Sequence, residues 1–307
     1  MRVLITGGSG MVGRNLLEHA GAKNHEVLAP ISAQLNLKDS YAVSAYLEEY
    51  RPDIIVHSAG KVGGIQANLS HPVAFLLDNL DMGRNLVATA HQAGITRLLN
   101  LGSSCMYPRT APNPLTEDAV LKGELEPTNE GYALAKIAVA RLCQYINREF
   151  SDFQYKTLIP CNLYGRYDKF DPGHSHLVAA IIDKLHQAGR QGVTRVDIWG
   201  DGTARREFMY AGDLADCIWR AVDDFESLPD CMNVGMGSDL TVNDYYQVAA
   251  EVIGYQGTFV HDPSKPVGMK QKLVDTRRAD EWGWKARTTL REGLRLTYQH
   301  YLQSNPT

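Results

Sequence analysis

Met1-Arg-Val-Leu-Ile-Thr-Gly-Gly-Ser-Gly-Met-Val-Gly13 is an apolar run that breaks into spaced glycines and then begins a helix. Val3, Leu4 and Ile5 are apolar without alternation, the pattern of a strand buried on both faces of a parallel sheet. Gly7, Gly10 and Gly13 follow at the spacing G-x-x-G-x-x-G. The first glycine permits a tight turn, the second lets backbone N–H groups approach a pyrophosphate, and the third lets the helix lie close to the strand. Three glycines in seven residues also make an ordinary turn. Here a strand precedes them and an amphipathic helix (Val12, Leu16, Leu17) follows, which is the context the motif requires. Gly7, Gly10, Met11, Val12 and Gly13 are therefore expected to cradle a dinucleotide, with the helix dipole facing its phosphates.

Outward from this stretch, strand and helix patterns alternate. Glu26 to Pro30 predicts a second strand, Ser40 to Tyr50 a helix, and Asp53 to Ala59 a third strand. Lys61 to Asn68 predicts a glycine-bearing loop, Pro72 to Gly94 a helix, Arg97 to Gly102 a fourth strand, Tyr132 to Phe150 a helix, and Tyr155 to Pro160 a fifth strand. Strict alternation implies an α/β fold with a doubly wound parallel (Rossmann) sheet. Beyond about residue 165 the alternation loosens, with helices expected near His176 to Ala188, Leu214 to Asp224 and Val242 to Gly254, and a strand at Val196 to Trp199. The chain thus divides into a nucleotide-binding domain, 1–165, and a smaller C-terminal lobe, 166–307, mainly for substrate, with later segments returning to the main sheet. The two are expected to pack as one unit with a cleft between them.

The composition narrows the partners. With 307 residues, 44% hydrophobic and 21% charged, the chain has the balance of a folded globular protein. A net charge of -4 supplies no basic field for nucleic acid or an anionic membrane. No stretch of about 18 apolar residues exists, and the first strand starts at the N-terminus, so neither a membrane span nor a secretory signal is expected. Five cysteines, Cys105, Cys143, Cys161, Cys217 and Cys231, are odd in number and lack metal-type spacing. Reduced thiols, no metal site and a cytoplasmic location follow as expectations.

Tyr132 and Lys136 stand four apart at the start of a predicted helix, on one face. A lysine ammonium near a phenol is expected to lower its pKa toward neutrality, so that it can protonate a carbonyl oxygen as a hydride arrives. The pair alone is common and usually forms a solvated helix face. It gains weight from Leu99-Asn-Leu-Gly-Ser-Ser-Cys-Met-Tyr-Pro108, which puts hydroxyls at the C-terminal end of the fourth strand, the ligand-binding edge of such a sheet.

In the order of these parts the sequence resembles the extended short-chain dehydrogenase/reductase family over essentially its whole length. The resemblance implies a Ser-Tyr-Lys triad of Ser103, Tyr132 and Lys136 beside a nicotinamide cofactor. A closer resemblance, to the GDP-L-fucose synthase branch, rests on several stretches in the right order. They are Lys61-Val-Gly-Gly-Ile65 with Ala67-Asn68, Gly102 to Pro108, Leu125-Glu-Pro-Thr-Asn129, Asn162-Leu-Tyr-Gly165, Ser175-His176 and Arg206-Glu-Phe208. That branch implies NADP(H), a GDP-4-keto-6-deoxy sugar, 3,5-epimerisation followed by 4-keto reduction, and a homodimer. It places proton transfer at C3 and C5 on Cys105 and His176, a thiolate removing the proton that flanks the ketone and an imidazolium returning one on the other face. His174 is a nearby competitor for the second role. By the same resemblance Arg206 clamps the diphosphate, Lys184 shares that work, Trp199 lines the cleft, and Asn162 lies near nicotinamide and substrate. Arg205 reads as a solvated charge.

The chain departs from the branch at the cofactor. Ser9 in the turn and Pro30-Ile-Ser32 after the second strand stand where relatives often carry arginines for the 2′-phosphate, and no acidic residue ends that strand to select NAD. Related readings are a GDP-4-keto-sugar reductase or epimerase/reductase acting on a 3,6-dideoxy or heptose substrate, and, in another class, a non-catalytic NADP-sensing protein. A dehydratase is disfavoured, because Ser104 and Cys105 occupy the place of its Asp-Glu pair.

Overall fold

A computed structural model of the chain describes residues 1–171, 175–265 and 268–304. In chain order its strands are β1 (Arg2–Thr6), β2 (Glu26–Leu28), β3 (Ile54–His57), β4 (Arg97–Leu101), β5 (Gln154–Pro160), β6 (Asn162–Tyr164), β7 (Arg195–Trp199), β8 (Arg205–Arg206), β9 (Phe208–Tyr210), β10 (Cys231–Val234), β11 (Leu240–Thr241), β12 (Thr258–Asp262) and β13 (Gln271–Lys272). The helices are α1 (Met11–Glu18), α2 (Ser40–Tyr50), α3 (Ile65–Ser70), α4 (Pro72–Gln92), α5 (Glu130–Glu149), α6 (Leu177–Arg190), α7 (Ala211–Asp223), α8 (Val242–Ile253), α9 (Arg277–Glu281) and α10 (Leu290–Ser304).

Six strands form one sheet in the order β10-β5-β4-β3-β1-β2, and every pairing in it is parallel. The chain runs outward from β1 to β2 and then crosses back to β3 on the other side of β1. That reversal opens a crevice at the C-terminal ends of the strands, where sheets of this kind bind ligands. Val3 and Ile5 pack with Leu16 of α1 and Ile218 and Trp219 of α7. Leu4 and Ile55 face the opposite way, among Val43 and Leu47 of α2, Leu86 of α4 and Ile146 of α5. Helices on both faces are why these strands carry unbroken apolar runs.

The remaining elements build a second core, in which Val196 and Ile198 of β7 pack with Ile181 and Leu185 of α6, Ala249 of α8 and Leu294 of α10. β7 pairs with β12, β8 lies between β11 and β13, and β6 pairs with β9. Two local expectations are corrected. The second strand ends at Leu28 rather than Pro30. The expected loop over Lys61 to Asn68 contains the start of α3, because Asn68 Nδ2 donates to the carbonyls of Gly63 (2.8 Å) and Gly64 (3.0 Å) and closes a turn that the glycines alone would leave open.

β10 reaches the sheet through a buried cation. Lys156 of β5 is 4% exposed, and its ammonium donates to the carbonyls of Phe225 (2.7 Å), Glu226 (3.2 Å) and Leu228 (2.6 Å). Desolvation lowers its pKa, against the pull of Asp230, Glu226 and Asp224. Lys156→Met strands these carbonyls and should cost about 2–4 kcal/mol, read as a lower urea midpoint. An unchanged midpoint would mean that packing alone holds the turn.

Candidate active site

At the cofactor end, Gly7 has φ +75°, and a Cβ there would lie 2.7 Å from the backbone of Ala59. A Cβ on Gly13 would lie 2.2 Å from the Gly7 carbonyl, so only glycine lets α1 start this close to β1. Gly10 is the N-cap of α1 and offers no side-chain cap. The first-turn N–H groups, including those of Met11 and Val12, therefore point into the crevice without a capping side chain, a fit for a pyrophosphate. His57, at the end of β3, shares a 2.9 Å hydrogen bond with Thr6 and is held neutral, its pKa pushed down to about 3 by burial and by Lys136.

The three triad residues meet one strand over. Lys136 is buried, and its Nζ donates to the Leu101 carbonyl at 2.8 Å and lies 5.9 Å from the Tyr132 ring centroid. Ser103 caps the turn after β4, its Oγ accepting from the Cys105 N–H at 3.2 Å, and it hydrogen-bonds the Tyr132 phenol. The expected lowering of the phenol's pKa is corrected: burial pushes it up, Cys105 adds to the rise, and Ser103 opposes it. The ammonium is spent on the Leu101 carbonyl, and its own pKa falls to about 8 by desolvation. Tyr132 is thus a protonated acid before any ligand binds.

Cys105 lies in the same site. Its Sγ accepts from Asn129 Nδ2 at 3.1 Å and from Lys272 Nζ at 3.4 Å. His176 is the N-cap of α6. Burial, then Lys272 and Lys169, push its pKa down to about 4, so the expected standing imidazolium is corrected to a neutral ring. A Cβ on Gly64 would come 2.7 Å from the Ser175 carbonyl, so the glycines of Lys61 to Ile65 let that loop press against the Ser-His pair. His174 lies outside the described residues.

Arg206 sits in β8 beside Gly268, with Nη1 donating to the Arg205 carbonyl at 2.8 Å. Desolvation lowers its pKa while Glu126 raises it. Lys184 Nζ pairs with Asp197 Oδ1 at 2.7 Å, and Trp199, 42% exposed, lies on the same outward face of β7 as Asp197. Asn162 Nδ2 donates to the Glu207 carbonyl at 2.9 Å. Arg205 differs from its expectation as a free surface charge: it pairs with the nearly buried Asp239 at 2.6 Å, because β8 and β11 bring them together.

Four residues carry parts of the site that sequence reasoning missed. Asn79 of α4 receives the Lys61 N–H at 2.8 Å and returns Nδ2 to the Lys61 carbonyl at 3.1 Å, pinning the loop. Glu207 is fully buried and accepts the N–H groups of Met236 (2.7 Å), Gly237 (2.9 Å) and Val274 (2.9 Å). Burial pushes its pKa up to about 7 against those three bonds. Asn129 had a signal in its quoted stretch but no assigned role. Lys272 had none, being 167 positions from the thiol it touches.

A model described as the NAD dependent epimerase/dehydratase family matches residues 3–235. The chain is 53% identical over 302 residues to GDP-L-colitose synthase of Yersinia pseudotuberculosis, covering 98% of each. It is 49% identical over 304 residues to GDP-L-fucose synthase of Azorhizobium caulinodans, covering 99% of this chain and 97% of that one. Among solved structures it is similar to MlghC, a GDP-mannoheptose C4 reductase from Campylobacter jejuni with NADP bound, at TM-score 0.87 and 27% identity over 98% of each chain.

The His176 shift has a definite sign. A folded pKa near 4, below the ordinary value of 6.5, means that the unfolded chain binds the proton more readily. His176 therefore costs stability progressively as pH falls from 6.5 toward 4, and nothing above that window. In the ligand-free protein its ring should show no protonation from pH 8 to 5.5 by NMR titration, and a midpoint near 6.5 would contradict the geometry.

Proposed function

We propose that this chain, which belongs to the NAD dependent epimerase/dehydratase family, is an NADPH-dependent enzyme that epimerises a GDP-4-keto-6-deoxy sugar at C3 and C5 and reduces its C4 ketone, as in GDP-L-fucose synthesis. The observation that carries this reading is Cys105 and Tyr132 in one site, the Cys105 N–H and the Tyr132 phenol both hydrogen-bonded to the Ser103 side chain. A reductase alone needs only the second; a thiol there supplies a base for the acidic carbons flanking the ketone.

When bound in the glycine crevice, the nicotinamide supplies the hydride for C4. Tyr132 gives its proton to the ketone oxygen, Ser103 steadies the phenol, and Lys136 fixes the end of β4. Cys105 takes the proton from C3 or C5. His176, neutral in the free site, serves the opposite face: the enolate formed beside it raises the ring's proton affinity, so that it takes a proton from solvent and passes it to the carbon. Arg206 offers a guanidinium to the diphosphate, with Lys184 and Trp199 on the outer wall and Asn162 toward the reacting carbons. Residues 1–165 chiefly hold cofactor and 166–307 chiefly hold substrate.

A second reading, a 3,6-dideoxy sugar as substrate, is favoured by the similarity to GDP-L-colitose synthase. Turnover of GDP-4-keto-6-deoxymannose and of its 3-deoxy analogue, with product stereochemistry read by NMR, separates the two. A homodimer is supported by the exposed apolar positions Val73 and Leu77 on α4 and Leu134 and Tyr145 on α5, since these two helices pack side by side. A cytoplasmic setting is supported by five unpaired cysteines. No described helix is long and apolar enough to cross a membrane.

Tyr132→Phe should lower reduction by about 10²–10⁴-fold with NADPH binding intact. Cys105→Ser should stop inversion and solvent deuterium uptake at C3 and C5, because a hydroxyl is far less acidic than a thiol. Fully inverted product at the wild-type rate would make the thiol structural and end the epimerase reading. Arg206→Ala should raise KM for the sugar nucleotide and spare NADPH affinity; the reverse pattern would remove it from the clamp.

A further inference from the structure

Lys272 is 9% exposed, and among the described residues it is within ion-pair distance of no carboxylate. Burying a cation without a partner costs several kcal/mol, and among the described residues Lys272 makes no bond to a backbone carbonyl of the kind that holds Lys136 and Lys156. The polar contact it makes is to Cys105 Sγ at 3.4 Å. An ammonium has donors only, so the sulfur accepts, and Asn129 Nδ2 donates to the same atom at 3.1 Å. Two donors on one sulfur suit a thiolate and disfavour a thiol. β13 carries Lys272 there by pairing with β8 in the register Lys272 to Arg206, so one strand pair holds both this ammonium and the guanidinium assigned to the diphosphate.

We propose that Lys272 is a positioning residue for epimerisation: its buried ammonium is the counter-charge that keeps Cys105 as the thiolate base.

The proposal rests on the reading of Cys105 as the base. The titratable groups around the sulfur are Tyr132 from α5, which stays protonated because burial raises its pKa, and Lys272 from β13. The Asn129 amide contributes a dipole. The same ammonium acts on the imidazole at the N-terminus of α6, depressing its proton affinity. One cation thus opposes protonation of both proton-transfer groups at once, the state needed for a base to act first.

The test uses the full-length protein and iodoacetamide, following the Cys105 peptide by mass spectrometry from pH 6 to 9, so that no sugar substrate is needed. Wild type should alkylate at a rate nearly flat above pH 7. Lys272→Met should be at least about tenfold slower at pH 7 and climb about tenfold per pH unit, and Lys272→Arg should restore the flat profile. Superimposable wild-type and Lys272→Met profiles, or an arginine variant that behaves like methionine, overturn the proposal. Should Lys272→Met not fold, the wild-type profile decides alone: a tenfold climb per unit through neutrality overturns it. With GDP-4-keto-6-deoxymannose in D₂O, deuterium uptake at C3 and C5 should fall about tenfold in Lys272→Met while NADPH affinity holds. A flat wild-type alkylation profile with no deuterium uptake by any form would leave the counter-charge standing and refute the assigned substrate instead.

Discussion

Lys136 donates to the Leu101 carbonyl at 2.8 Å, and the geometry of the reacting groups depends on that bond. It ties the second turn of α5 to the last residue of β4, so Tyr132, one turn earlier, must face Ser103, two residues beyond the strand. The bond is made inside the protein, where an unpaired ammonium would be costly, and it fixes the distance between helix and strand. Parallel pairing of β4 with β3 and β5 then sets this pair at the same edge as the glycine turn. The glycine turn, the phenol and the thiol thus share one rim, because β1 and β4 both end there.

Charge, rather than shape, divides the labour on that rim. Desolvation acts on four titratable side chains there, and the result depends on each group's charge type. Tyr132 and Glu207 are pushed toward their protonated forms, whereas His57 and His176 are pushed toward neutrality. The phenol is left ready to donate and the imidazole ready to accept. Positive charge enters through Lys136, Lys272 and Arg206, which donate to a backbone carbonyl or a sulfur.

What could be read from the sequence was whatever is local. Val3 to Ile5, the spaced glycines and the four-residue step from Tyr132 to Lys136 declare themselves within a dozen positions, because strand, turn and helix periodicities are short. The doubly wound sheet followed from their alternation. Pairings across the fold were not legible in this way. Lys184 meets Asp197, Arg205 meets Asp239, and Lys272 meets Cys105 through tertiary contacts that no spacing announces. The phenol's proton affinity was misjudged for a related reason. The nearby lysine is visible in sequence, but its engagement with a carbonyl and the burial of the ring are not.

The Glu207 carboxylate, gripping Met236, Gly237 and Val274 at once, bears on how such a protein can diversify. Its three partners come from the segment just past β10, which belongs to the central sheet, and from the segment after β13, which belongs to the three-stranded sheet. The polypeptide crosses between the two bodies and is knotted at this carboxylate in the manner of a cross-stitch, so the lobe is no detachable cassette. Splicing at residue 165 would carry this carboxylate and its partners away together, but it would pull β10 from β5, its parallel neighbour in the central sheet. New sugar preferences on this scaffold must therefore come from substitutions within the sewn-together chain, one side chain at a time, rather than from exchange of whole lobes.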